Sequence, residues 1–264
     1  MAIAPDRRTF LTLLGLGVLG ARTAELAAQT GLRVGFYVPA DRALGQPAVL
    51  RTVAAIGYRD LDLGPTQQTG QALLDLRRLV DQRALAVPSR HVPMSLVFSN
   101  WRTALADCKI LGTRQLVCEE VPAAERASMA GYRRVAELLN SAGKITQMGG
   151  VQLAVRVHAD DLTPRAGAVP FEFLLASTNP SLVKFQAAVA VYEAAGRNLV
   201  ADLTRHRDRF VSVHVANSAA PDLANVLAAA RGAGVQHVFV ADDRPDPSFD
   251  RARQHFETLT SLRF

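Results

Sequence analysis

From residue 32 onward the chain alternates short apolar, β-branched runs with segments of helical period, and it does so eight times. The strand candidates are Arg33 to Val38, Tyr58 to Leu63, Ala84 to His91, Gln115 to Glu119, Val151 to His158, Leu182 to Val189, Phe210 to Val215 and Gln236 to Ala241. Between them lie helix-period segments at Pro47 to Ile56, Gln71 to Gln82, Ser99 to Leu111 (Ser99 as N-cap), Tyr132 to Met148, Phe171 to Ala176, Asn198 to His206 and Leu223 to Ala233. A closing helix runs over Phe249 to Leu259. Strand and helix in strict alternation argue for βαβ units and a parallel sheet. Eight units within residues 30–264 are the size of a closed α/β barrel, the (β/α)8 or TIM barrel. An open doubly wound sheet would use the same alternation, but its dinucleotide fingerprint is missing. Apolar residues make up 49% of the chain, enough for one sizeable core.

The first 29 residues read differently. Arg7-Arg8-Thr9-Phe10-Leu11 leads into a Gly- and Leu-rich apolar run to Ala21, followed by small residues. A basic start, a short apolar run and small residues describe an export signal, and paired arginines before Phe-Leu resemble the twin-arginine type. The expectation is therefore a signal over residues 1–29, a barrel over 30–264, and delivery to the periplasm or another exported location. An uncleaved N-terminal anchor or a disordered tag is the other reading. No later run is long enough to span a membrane.

The formal charge of +6 is carried almost wholly by arginines scattered among acids, with no basic block interleaved with aromatics, so no nucleic-acid partner is expected on charge grounds. Cys108 and Cys118 could pair in an oxidising compartment or stay as buried free thiols. No Ser-His-Asp order, Walker loop or CxxC pair is present.

Several segments resemble one family, the xylose-isomerase-like sugar phosphate isomerases and epimerases. They are Val53 to Leu63 (VAAIGYRDLDL), Pro88 to Pro93 (PSRHVP), Leu116 to Cys118, Gly131 to Asn140 (GYRRVAELLN), Leu182 to Phe185, Arg209 to Val215 (RFVSVHV), and Ala230 to Val240 with Asp243-Arg244-Pro245. The resemblance covers nearly all of the chain after the signal. It implies a small carbohydrate as partner and proton transfer beside a sugar carbonyl, with a divalent metal such as Mn held at the ends of the fifth to eighth strands.

Against that pattern the chain departs at most ligand positions. Where relatives often end the fifth strand His-x-His, this chain has Arg156-Val157-His158; the sixth reads Gln186-Ala187-Ala188 in place of Glu-x-Asp. After His214-Val215 come Ala216-Asn217, and Ala241 stands where a metal-binding Glu is usual. The connection from Asn217 to Asp222 is also short. Guanidinium cannot coordinate a cation, and alanine offers no donor. The expectation is a barrel without cofactor, its family metal absent. Asp242 could replace the missing Glu only if the strand end is bulged, since neighbours on a strand face opposite sides.

The pocket candidates are Asp62, His91, Glu119, Arg156, His158, Gln186, His214 and Asp242, all at strand ends; no catalytic role is assigned to any of them. His206, His237 and His255 are expected at the surface, and Trp101 either walls the pocket or packs. Two function classes stay open: a sugar isomerase, epimerase or related lyase with an altered site, and a non-catalytic barrel that binds a sugar or a partner.

Overall fold

The computed structural model describes residues 31–241 and 248–262. Eight parallel strands close into a barrel in chain order. They are β1 (Arg33–Val38), β2 (Asp60–Leu63), β3 (Ala86–Val92), β4 (Gln115–Cys118), β5 (Gln152–Arg156), β6 (Val183–Ala188), β7 (Phe210–Val215) and β8 (His237–Val240). Closure is made by β1 against β8, with Arg33 opposite His237 and Phe36 opposite Val240. The register slips once between β2 and β3, at Asp60/Asp62, and once between β6 and β7, at Phe185/Gln186.

Each strand buries both faces, as a sheet covered by helices must. Outward residues such as Leu61, Leu116, Val155, Val213 and Val238 pack under the helices and are at most 1% exposed. On the inner face, Gly35 lets Phe239 and the Asp60 carbonyl approach within 2.5 and 2.8 Å of where a Cβ would stand. The charged pair Arg90–Asp107, 3.0 Å apart with side chains 2% and 3% exposed, ties β3 to the helix Trp101–Leu111.

Several expectations need correction. Ser99 does not cap the third helix: its hydroxyl donates to the Ser95 carbonyl at the end of a separate short helix, Met94–Ser99, and the cap is Asn100. Pro93 sets up that extra turn, its fixed φ suiting the start of a helix. The strands β2, β3 and β5 begin one or two residues later than the apolar runs, because Tyr58, Leu85 and Val151 are buried as chain entering the barrel rather than as paired strand. His237 and His255 are buried, not superficial: His237 stacks on Phe239 inside the barrel, and the Ser218 hydroxyl lies 2.7 Å from His255 Nδ1. Cys108 and Cys118 are buried free thiols. Among the described residues no helix is long and apolar enough to cross a membrane. Residues 1–29 and Asp242 lie outside the described residues.

Candidate functional site

The site forms at the C-terminal ends of the strands, where a barrel of this kind opens and its βα loops converge. Alternation along each strand sends every second side chain inward. On β2 the inward residue is Asp62, on β3 His91, and on β5 Arg156. On β6 it is Gln186, and on β7 Ser212 and His214. The first residue after β4, Glu119, and the second after β5, His158, complete the set. Seven of the eight sequence candidates therefore come together, and the eighth is Asp242.

Asp62 is the hub. Its Oδ2 lies 2.8 Å from His91 Nε2, 2.6 Å from His214 Nε2 and 3.2 Å from the Gln186 amide nitrogen, which also donates to Ser212 Oγ at 2.9 Å. All of these residues are at most 2% exposed. On its other side His91 presents Nδ1 to Glu119 Oε1 at 2.6 Å. Glu119 reaches the surface of the site, with Arg156 Nη1 at 3.7 Å and His158 Nε2 at 3.9 Å from its second oxygen. Floor and rim are thus distinct: Asp62, His91, Gln186, Ser212 and His214 are sealed, whereas Glu119, Arg156 and His158 are partly open to solvent.

Sequence reasoning missed Tyr37 and Ser212. Tyr37, at the end of β1, lies with its ring 5.5 Å from both the His91 and His214 rings, and the Arg156 guanidinium sits 5.9 Å over it. Gly64 makes room for it, since a Cβ there would stand 2.6 Å from the Tyr37 hydroxyl. Extending the strand-end rule to β1 would have found Tyr37. Ser212 precedes His214 by two residues and shares its face.

The charges follow from this wiring. Burial alone would raise the Asp62 carboxyl, but the His91 charge and the hydrogen bonds from His214 and His91 reverse that and hold it far below the usual carboxylate range. Burial would likewise depress His91; the charge and hydrogen bond of Asp62, then those of Glu119, outweigh it and raise it to about 9. His214 goes the other way: burial lowers it, the neighbouring His91 and Arg156 charges oppose a second cation, and its bond to Asp62 is not enough to compensate. Glu119 is lowered, burial being outweighed by His91, Arg156 and His158. His158 is lowered by burial and then by Arg156. These shifts favour the charged forms of Asp62 and His91 and the neutral form of His214.

Among the described residues one buried group, Asp62, His91 and His214, offers three possible metal-ligating atoms, all within 4.8 Å of one another. Its donors fit a divalent ion poorly. Two nitrogens at 2.6 and 2.8 Å from one carboxylate oxygen are hydrogen-bonded and carry protons, and ligand atoms around an ion keep about 3 Å or more between them. Only one of the three is anionic. Ala188, opposite His214 in register, has no donor atom, and Ala241, whose N–H bonds to Val215, has none either. Arg156 adds a fixed cation beside them.

No protein-family model matches the chain, and no curated protein does. Solved structures with a similar barrel include a sugar phosphate isomerase/epimerase from Parabacteroides distasonis, 19% identical, with a TM-score of 0.74 over 86% of this chain and 96% of that one. Another is the E. coli 3-keto-D-glucoside 4-epimerase, 14% identical, TM-score 0.60, covering 86% and 97%. A D-psicose 3-epimerase crystallised in the presence of D-fructose is 10% identical, TM-score 0.61, covering 85% and 90%. At these identities the likeness is one of fold: the chain shares its eight-stranded parallel barrel with these solved structures.

Proposed function

We propose that the chain is a sugar-binding barrel that takes a small carbohydrate at the C-terminal mouth, on Glu119, Arg156, His158 and Tyr37, without a divalent metal. The observation that carries this reading is the arrangement of Glu119. One of its oxygens is fixed by buried His91 and the other is turned toward Arg156 and His158 at the open rim. A carboxylate, a guanidinium and an imidazole around one opening offer both acceptors and donors to vicinal hydroxyls, and the Tyr37 ring supplies an apolar face for the C–H side of a sugar. The sugar substrates named for the similar barrels support the choice of ligand class.

The test is calorimetric titration of the purified protein with D-fructose and L-ribulose in the presence of a chelator. Saturable binding that is weakened about tenfold or more by Glu119→Gln and by Arg156→Ala is expected, the scale of losing one hydrogen bond to a charged group. Chelator-sensitive binding, or binding indifferent to both substitutions, contradicts the reading.

A catalytic role is favoured by one further feature: Glu119, a carboxylate, and His158, kept neutral by burial and Arg156, face each other at 3.9 Å as a base and an acid–base group would. Exchange of a ketose C–H for deuterium in D2O, abolished by Glu119→Gln, distinguishes an enzyme from a binding protein. Export over residues 1–29 is part of the same proposal. Replacing Arg7 and Arg8 by Lys should retain the chain in the cytoplasm, and unchanged delivery would exclude the twin-arginine route.

A further inference from the structure

Glu119 is the rim group the proposed ligand would meet, yet its pose is decided two residues away. We propose that Asp62, which lies too deep to meet a ligand at the rim, is the positioning residue of the site: it fixes His91 as a permanent buried cation, and the second N–H of that cation clamps Glu119 in its ligand-facing position. The inference deepens the sugar-binding reading and rests on it only where it speaks of ligand affinity.

Proton counting supports it. The two contacts of His91, 2.8 Å to Asp62 and 2.6 Å to Glu119, are both nitrogen-to-carboxylate hydrogen bonds, so each needs one proton. Two protons over three groups leave either an imidazolium between two carboxylates or a neutral imidazole beside one carboxylic acid. Asp62 Oδ2 receives His91, His214 and Gln186 together, which a carboxylate can do and a protonated oxygen cannot. The Nε2 proton therefore belongs to His91, and at Nδ1 the Arg156 guanidinium 3.7 Å from Glu119 favours the carboxylate, which leaves the second proton on His91 as well.

The remaining neighbours of His91 do not undo it. On β1 Tyr37 lies edge-on to the ring at 5.5 Å. On β7 His214 stands 5.7 Å away, itself held neutral. Beyond Glu119 are Arg156 and His158, at 3.7 and 3.9 Å from its oxygen; the Arg156 charge strengthens the carboxylate form of Glu119 and so the clamp. Two carboxylates, Asp62 and Glu119, are balanced by His91 and Arg156, so this set is neutral without a metal ion. The fixed cation of the floor is a side chain of the protein.

The experiment uses the folded protein with 15N-labelled histidine. In the wild type, both His91 ring nitrogens should carry a proton at neutral pH, giving two strongly downfield N–H resonances that persist to about pH 9. A neutral His91 at pH 7 overturns the proposal without any ligand being added. In Asp62→Asn the cation should be lost at neutral pH and D-fructose affinity should fall about tenfold, the same loss as in Glu119→Gln although Asp62 is remote from the rim. An unchanged His91 signature in Asp62→Asn likewise overturns it. Should Asp62→Asn not fold, Glu119→Gln supplies the second reading: His91 should then titrate lower than in the wild type but still above an ordinary imidazole, because Asp62 remains. A His91 indifferent to Glu119→Gln counts against the clamp. A cationic His91 in a protein that binds neither ketose would sink the sugar reading while supporting the clamp, so the two failures are told apart.

Discussion

His91 couples the chemistry of the site to the stability of the barrel. Its folded-state pKa, about 9, lies above the ordinary 6.5, so its ion pairing stabilises the fold fully below about pH 6.5 and the contribution is lost as pH rises through about 9. Asp62 and Glu119 are shifted downward from ordinary values of 3.8 and 4.5, so their share is present above those values and is lost as pH falls below them. The expected result is a urea midpoint that declines between about pH 6.5 and 9.5 in the wild type and much less in His91→Gln. A flat wild-type profile across that window would contradict the charge assignment. At this scale the sequence was informative about membership and silent about connection. Strand-end position alone picks out Asp62, His91, Glu119, Arg156, Gln186 and His214. It does not reveal that Asp62 is the hub at the floor, because that depends on how β2, β3, β6 and β7 are staggered around the barrel. The buried fate of His237 and His255 was illegible for a related reason: a histidine in a polar-looking context reads as surface until its partners Phe239 and Ser218 are brought to it by closure.

The strands were read almost whole from apolar runs, β1 and β7 to the residue, because both faces of a barrel strand are buried and the run carries its own limits. Helix starts were less legible where two caps compete. At Ser99-Asn100 both residues are good N-caps, and tertiary packing of Met94 and Val97 spends Ser99 on the preceding turn. One contact between elements was not visible in the sequence, the buried pair Arg90–Asp107 between β3 and the helix Trp101–Leu111. Removing one partner of a sealed ion pair strands the other charge in a medium that cannot solvate it. Asp107→Ala should therefore lower unfolding free energy by about 3–5 kcal/mol, whereas the paired change Arg90→Met with Asp107→Leu should recover most of the loss. Denaturant titration of the three proteins checks this. Equal losses in the single and double variants would mean that packing volume, not charge, dominates there.

Over the whole molecule, the fold and the site give opposite signals, and the divergence predicts how the protein answers metal ions. The barrel has the fold of a solved sugar phosphate isomerase/epimerase, and the sequence resemblance to that family carried the expectation of a divalent ion at the strand ends. Around His214, however, this chain places Ala188 and Ala241, with Arg156 in the same opening, and hydrogen bonds the Nε2 atoms of His91 and His214 to Asp62. An ion bound at these two Nε2 atoms would have to displace their protons and sit near a guanidinium, each of which costs binding energy. A ligand bound only by the folded state at a hundred times its dissociation constant stabilises by about 2.7 kcal/mol. For a chain of this size that would raise the melting temperature by roughly 5–10 °C. Millimolar Mn, Mg or Zn is expected to leave the melting temperature of the protein unmoved, and a chelator to leave both melting and sugar binding unmoved. A rise of that size with Mn, lost in His214→Ala, would mean that the hydrogen-bonded cluster opens to coordinate, and the site would then have to be rebuilt around the ion.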